Sequence, residues 1–270
     1  GFDKDGYLFT NTYLGDYPMF LPGGKEQIAG EYQPGWMLLS YGKKVSVSSS
    51  LEGYPAENIV DEDARTAWVA QSNRDMEWAQ VDLQRLSSIH AIQVNFDEYG
   101  ANQKGAVSGV YQSYLIYASV NGEDWSLVVD YGTKKTDTPH DYIEFEEPFK
   151  ARYIKLQNKE YMVSENFSVR DLRIFGKGQG STPRAVNDFT VERDEADPCK
   201  ARLCWEAVPD AQGYIVRYGI AGDKLYNNFQ VMGENTLEIG SLNKGVAYYF
   251  TIDAYNENGI TRTSRIKVCR

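Results

Sequence analysis

Short runs in which apolar and polar residues alternate at every second position constrain the fold of this chain more than any other feature. Lys44-Val45-Ser46-Val47-Ser48, Ile89-His90-Ala91-Ile92-Gln93-Val94, Tyr114-Leu115-Ile116-Tyr117, Tyr153-Ile154-Lys155-Leu156 and Leu172-Arg173-Ile174-Phe175 each read as a half-buried strand. A period of two sends successive side chains to opposite faces, so such a strand has one face to bury against another layer. Asn121-Gly122 and Asn258-Gly259 supply turn chemistry between runs, and helical periodicity is hard to find. The pattern predicts an all-β chain made of sandwiches rather than of alternating βαβ units.

With 270 residues the chain is long enough for two domains, and its 20 Tyr and 5 Trp supply material for packed cores. The clearest boundary is Gly176-Lys177-Gly178-Gln179-Gly180-Ser181-Thr182-Pro183, a Gly/Ser stretch closed by proline with strand-like sequence on both sides. The expected organisation is a first segment at 1–35, a domain at 36–178, a linker at 179–184 and a second domain at 185–270. The 38 acidic side chains outnumber 28 basic ones for a net charge of −10, which repels phosphate backbones and anionic headgroups and disfavours nucleic acid as a partner. No run approaches the roughly 20 apolar residues of a bilayer crossing, so membrane insertion is not expected, and any targeting signal is expected outside this sequence. Only His90 and His140 are available for histidine chemistry, and ordinary packing or surface roles suit both.

From Trp36 to about Lys177 the order of features resembles the discoidin, or coagulation factor 5/8 type C, family shared with family 32 carbohydrate-binding modules. Pro55-Ala56-Glu57-Asn58-Ile59-Val60-Asp61-Glu62-Asp63-Ala64-Arg65-Thr66-Ala67-Trp68 is similar to the family's acidic loop ending in Thr-x-Trp. Trp78-Ala79-Gln80-Val81-Asp82-Leu83 resembles its W-x-x-x-D-L strand, and Ser119-Val120-Asn121-Gly122-Glu123-Asp124-Trp125 its S-x-D-G-x-x-W hairpin. The resemblance implies an eight-stranded, galactose-binding-domain-like jelly roll. Trp36, Trp68, Trp78 and Trp125 are assigned to its core.

Asp61, Asp63 and Thr66 place oxygens at close spacing, a donor type suited to calcium, although a solvated turn with surface carboxylates accounts for the spacing equally well. The resemblance favours a structural calcium completed by a carboxylate of the last strand, which maps to Asp171 where the family more often has glutamate. Sugar recognition needs an aromatic face and a few polar groups on loops at one end of a rigid scaffold. The candidates are Glu52, Tyr54, Asn73, Arg74, Glu98, Tyr99, Asn102, Gln103, Tyr161 and Phe167, with a half-exposed strand-end role the alternative for each aromatic. Galactose-binding relatives often carry His and Trp after the Thr-x-Trp; Val69-Ala70-Gln71-Ser72-Asn73-Arg74 follows here, so galactose specificity does not transfer.

From about Arg184 the sequence resembles a fibronectin type III domain, an immunoglobulin-like sandwich. Leu203-Cys204-Trp205 matches its second strand, Gly213–Tyr218 its third, and Leu242–Asn256 its L-x-x-G-x-x-Y-x-x-x-x-x-A corner, with Tyr248 as the corner tyrosine. Within that topology Cys199 and Cys269 fall at one end of the sandwich, so a disulfide, if present, is expected between them, and Cys204 faces outward. Asp5–Pro18 resembles the end of the five-bladed propeller of family 43 glycoside hydrolases. Together these resemblances imply a non-catalytic, carbohydrate-binding accessory region of a secreted bacterial glycoside hydrolase, extracellular, at the cell surface or periplasmic. Its partners are then a glycan or polysaccharide and the parent's catalytic domain. A protein-protein or cell-surface adhesion module is the alternative, and a purely structural brace for the catalytic domain a second.

Overall fold

The computed structural model describes residues 36–101 and 109–270, so the first segment, with its expected propeller remnant, and the candidates Asn102 and Gln103 lie outside the described residues. The described residues divide into two compact units, Trp36–Gln179 and Gly180–Arg270. Both are all-β. No helix among them is long and apolar enough to cross a membrane.

The first unit is a jelly roll of eight antiparallel strands: β1 Met37–Leu38, β2 Lys44–Val47, β3 Trp68–Val69, β4 Trp78–Phe96, β5 Gln112–Ser119, β6 Ser126–Tyr131, β7 His140–Tyr161 and β8 Ser168–Lys177. They pair in the order β1-β8-β4-β7-β5-β6, with β2 added to β4 and β3 to β8. A 3₁₀ turn, Ala56–Val60, buries Ala56, Ile59 and Val60 under β8 and β2. Alternation drives the packing: Ala79, Val81 and Leu83 point inward from β4, Ile154 and Leu156 from β7, and Leu172 and Ile174 from β8.

Of the bulges that interrupt that rhythm, two bear on the shape of the roll and on its loop rim. Between the pairs Asp82–Tyr153 and Ser87–Ala151, residues 83–86 of β4 face a single residue of β7, and Gln84 there adopts φ +67°. An insertion of this size bends the strand and lets one long β4 follow the curvature of the roll. The second bulge lies where Ser113 pairs with Glu160 but Tyr114 with Asn158, leaving Lys159 unopposed. It reverses the pleat phase, so Asn158 and Tyr161 both point inward although their spacing is odd.

Of the four tryptophans expected in this core, Trp68 alone is fully enclosed, and Trp36, Trp78 and Trp125 are half-buried. Trp78 shares the outward phase of Gln80 and Asp82, opposite to Ala79 and Val81. Trp36 stacks on His90, with centroids 5.3 Å apart, and burial together with Lys177 and Lys150 lowers the pKa of that imidazole. His140 meets Asn95 Oδ1 through Nδ1 at 3.1 Å.

The second unit packs a three-stranded sheet against a five-stranded one. Its strands are β9 Phe189–Arg193, β10 Ala201–Trp205, β11 Gly213–Gly219, β12 Asn227–Met232, β13 Thr236–Ile239, β14 Tyr248–Asn256, β15 Gly259–Thr261 and β16 Lys267–Cys269. One sheet runs β13-β10-β9; the other runs β12-β11-β14-β15, with β16 also on β14. Leu203 and Trp205 face the shared core with Tyr214, Val216, Phe250 and Ile252, while Cys204 takes the opposite phase. Tyr248 is buried, and its hydroxyl oxygen accepts the Asn243 N–H at 3.2 Å.

The expected Cys199–Cys269 bridge is not formed: Cys199, Cys204 and Cys269 are free thiols. Arg193 fills this end of the sandwich, donating to the carbonyls of Pro198, Asn243 and Val246, and it also bonds to Cys269. Burial pushes the Cys269 thiol pKa up.

Candidate functional site

At the end of the jelly roll where β4 begins and β7 ends, three described loop segments (residues 48–67, 70–77 and 162–167) meet the start of the β4–β5 connection. Their roots are fixed both by the core and by one another. The Trp68 indole N–H donates to Ser49 O and to Ser50 Oγ at 3.0 Å, and Leu51 N–H bonds Val69 O at 2.7 Å. Glu77 then accepts three hydroxyls, from Ser48, from Ser49 at 2.9 Å and from Ser72 at 2.7 Å. One carboxylate thus laces the 48–50 and 70–77 loops together, and charge-assisted bonds of this kind are about twice as strong as neutral ones. Sequence reasoning missed this network; the serine run Ser48-Ser49-Ser50 ahead of the loop was its only outward sign.

The β4–β5 loop departs from Asp97, which is held from every side. Its carbonyl accepts the hydroxyls of Tyr161 and Ser168, its N–H donates to Ser168 O, and its carboxylate pairs with Arg170. Arg170 also reaches Ala64 O at 2.9 Å, tying the acidic loop to the same strand.

On these roots the structure brings two sequence candidates into contact. Tyr54 and Tyr99, from separate loops, meet edge to face with centroids 4.8 Å apart and an interplanar angle of 66°. Both rings are half-buried, and Glu52 and Glu98 lie exposed beside them in sequence. Gly53 (φ +85°) and Gly100 (φ +65°) adopt left-handed conformations next to Tyr54 and Tyr99, turning the chain sharply at each ring. A rigid ring pair flanked by carboxylates on a loop rim can stack on the apolar face of a sugar and accept bonds from its hydroxyls.

The other candidates do different work. Asn73 donates to Tyr161 O and, at 2.8 Å, to Ser164 O, bracing the 162–167 loop. Asn158 donates in turn to Asn73 O and Arg74 O, and Arg74 lies on the exposed surface. Tyr161 and Phe167, expected at the rim, are core residues with 1% and 0% exposure. Phe96 and Phe167 pack on the Tyr161 ring and Trp68 on Phe167, so neither ring has a face for a ligand. Tyr161 acts instead on the loop that carries Tyr99, through its bond to Asp97 O; burial pushes its phenol pKa up.

The acidic loop supplies oxygen donors only. Asp61 accepts Asp63 N–H at 2.9 Å and Thr66 Oγ1–H at 2.8 Å. Two residues after Thr66 the loop joins β8, where Trp68 pairs with Val169, and Asp171 lies on that same strand. Asp171 is buried, one of its oxygens takes a bond from Asn95 at 2.9 Å, and Arg173 clamps Glu62 bidentately from the same strand. Asp63 departs from expectation: Arg65 binds both of its carboxylate oxygens and holds its pKa at about 2. Among the described residues no three His, Cys, Asp or Glu side chains gather as a metal-binding group. Oxygen donors of the type a hard cation takes are present in the Asp61 carboxylate and Thr66 hydroxyl of the loop and in the Asp171 carboxylate of β8.

Residues 44–171 match the F5/8 type C domain family. Over 110 residues, 38% of this chain, the sequence is 33% identical to lactadherin of Rattus norvegicus, and a similar stretch is 32% identical to lactadherin of Mus musculus. The chain spans about a quarter of the length of these curated relatives, 25% and 23%. Among solved structures, chitosan-binding module 1 of a chitosanase/glucanase from Paenibacillus sp. IK-5 superposes with a TM-score of 0.44 at 20% identity, covering 52% of this chain and 99% of that one. The family 32 carbohydrate-binding module of Clostridium perfringens NanJ, solved with galactose, gives a TM-score of 0.42 at 18% identity over 52% of this chain and 98% of that one. Within the jelly roll, then, the stretch 44–171 is similar in sequence to the F5/8 type C, or discoidin, domain family.

Proposed function

We propose that the jelly roll is a non-catalytic carbohydrate-binding module, accessory to a catalytic domain in a secreted bacterial glycoside hydrolase. The observation that carries this reading is the Tyr54–Tyr99 ring pair, held on two loops whose roots are fixed by Trp68 and Asp97. Ring faces and a few hydrogen bonds give weak affinity, about millimolar to micromolar, which repetition along a polymer offsets. Asp61, Thr66 and Asp171 hold a structural calcium that ties the acidic loop to β8. The second unit is a fibronectin type III spacer or docking domain; its three-on-five sheets and the Tyr248 bond to Asn243 N–H support that reading. A glycan microarray followed by affinity electrophoresis tests the binding role: the chain is retarded by a polymer, and Tyr54→Ala and Tyr99→Ala abolish the retardation. Absence of binding to every glycan at high protein concentration contradicts it and leaves adhesion or a brace for the catalytic domain.

Adhesion to a protein or cell surface is the second reading, favoured by Met76 and Met162, which are 63% and 54% exposed on the two loops joined through Asn73. It predicts surface capture that Met76→Ser with Met162→Ser removes and that Tyr54→Ala leaves intact.

A further inference from the structure

On the outer face of the β7–β5 sheet, away from the loop rim, a second cluster has no part in the site above. Tyr153 and Lys155 alternate with the buried Ile154 and Leu156 and so face outward. Lys155 pairs across the sheet with Tyr117, and the hairpin after β5 folds Trp125 over the same row. The Lys155 ammonium lies 4.1 Å from the Trp125 ring centroid and 5.6 Å from that of Tyr117. Trp125 meets Tyr153 edge to face at 6.5 Å. Neighbouring Arg152 stacks on Tyr153 as well, but both of its bonding nitrogens are committed to Asp82, at 2.7 and 2.9 Å.

Lys155 differs from Arg152 in one respect that matters. No carboxylate among the described residues pairs with it, so rings alone hold its ammonium, and partial burial lowers its pKa. A positive charge stripped of some water and pinned between rings is poised for an anion, because a charge-assisted bond strengthens as solvent is excluded. The rings beside it offer flat apolar surface of the kind that packs on a pyranose. The partner's charge is limited from the other side: a net charge of −10, with Glu123 and Asp124 on the same hairpin, repels a polyanion.

We propose that this face is a second glycan site, specific for a sugar residue bearing a single carboxylate on an otherwise neutral chain, with the carboxylate on Lys155 and the ring against Trp125 and Tyr117. The site is independent of the Tyr54–Tyr99 pair.

The test titrates the full chain with xylotriose carrying one glucuronic acid, and with unsubstituted xylotriose, while the Trp125 indole N–H is followed by NMR after assignment with Trp125→Phe. The acidic oligosaccharide shifts that resonance saturably and the neutral one does not. Lys155→Met, which keeps the stem and removes the charge, weakens binding at least about tenfold, Lys155→Arg retains it, and Tyr54→Ala with Tyr99→Ala leaves it unchanged. Equal shifts with both sugars, an unaffected Lys155→Met titration, loss of binding in the loop variant, or no shift at the solubility limit each overturn the proposal. Loss of polymer retardation in the loop variant with the Trp125 titration intact separates failure at this face from failure at the rim.

Discussion

Phe167→Ala separates a core role from a binding role for the aromatics near the loop rim. The Phe167 ring is fully buried and touches Trp68, Phe96 and Tyr161 at centroid distances of 5.8, 6.1 and 5.3 Å. Truncating a ring so enclosed removes its transfer free energy and leaves a cavity, together about 3–5 kcal/mol, a large part of the roughly 5–15 kcal/mol that holds a domain folded. Because the chain has two units, the readout belongs on the jelly roll alone: native-state hydrogen exchange at the β7 amides of Ile154 and Leu156. A loss of about 4 kcal/mol speeds globally limited exchange there by roughly a thousandfold, at tenfold per 1.4 kcal/mol. Tyr54→Ala, at a half-exposed ring on the rim, should change exchange at these amides by no more than about tenfold, or ~1.4 kcal/mol, while glycan binding disappears. If Phe167→Ala exchanges like the wild type and loses only glycan binding, Phe167 is a surface ligand contact and does not pack between Trp68, Phe96 and Tyr161.

Gly176→Ala should be strongly destabilising, since a Cβ there would lie 2.0 Å from Ser88 O in the paired strand; calorimetry showing an unchanged transition contradicts the β4–β8 register. Asp82 has a depressed pKa because Arg152 hydrogen-bonds both of its oxygens. Its stabilisation, about 1 kcal/mol at most for so exposed a pair, is present above the unfolded carboxylate value near 3.9 and is lost as pH falls through the folded value. Asp82→Asn therefore lowers the transition temperature at pH 6 and has little effect near pH 2, and a pH-independent difference contradicts the ion pair. Adding calcium after chelation should raise the jelly roll's transition temperature, by RT ln(1 + [Ca]/Kd) in free energy, and Asp61→Ala or Asp171→Ala should abolish the response. A response preserved in both variants places the ion elsewhere.

The sequence carried the sheets and hid the pleat phase. Period-two runs at Ile89–Val94, Tyr114–Tyr117 and Leu172–Phe175 fall inside β4, β5 and β8, and Lys44–Ser48 overruns β2 by one residue, because one-sided burial writes itself into the order of residues. The Asn121-Gly122 turn sits between β5 and β6 for a local reason, with Gly122 at φ +82°. Tyr161 was misplaced because the extra residue at Lys159 reverses the pleat, and nothing in Gln157-Asn158-Lys159-Glu160-Tyr161 announces a bulge. Trp78, expected in the core, faces outward, as the alternation of Ala79, Val81 and Leu83 already implies. The loop site was legible only as a set of residue types: pairing Tyr54 with Tyr99, and committing Asp63 to Arg65, depends on contacts among loops that no local pattern encodes.

Chemical-shift mapping with a neutral oligosaccharide selected on the microarray shows whether the loop rim of the jelly roll holds glycan. Ligand held by the Tyr54–Tyr99 pair shifts the amides of Glu52–Tyr54 and Glu98–Ala101 first and leaves Ile154 and Leu156 in place. Shifts confined to another face, or none at saturating sugar, contradict the assignment of this loop rim as the glycan site.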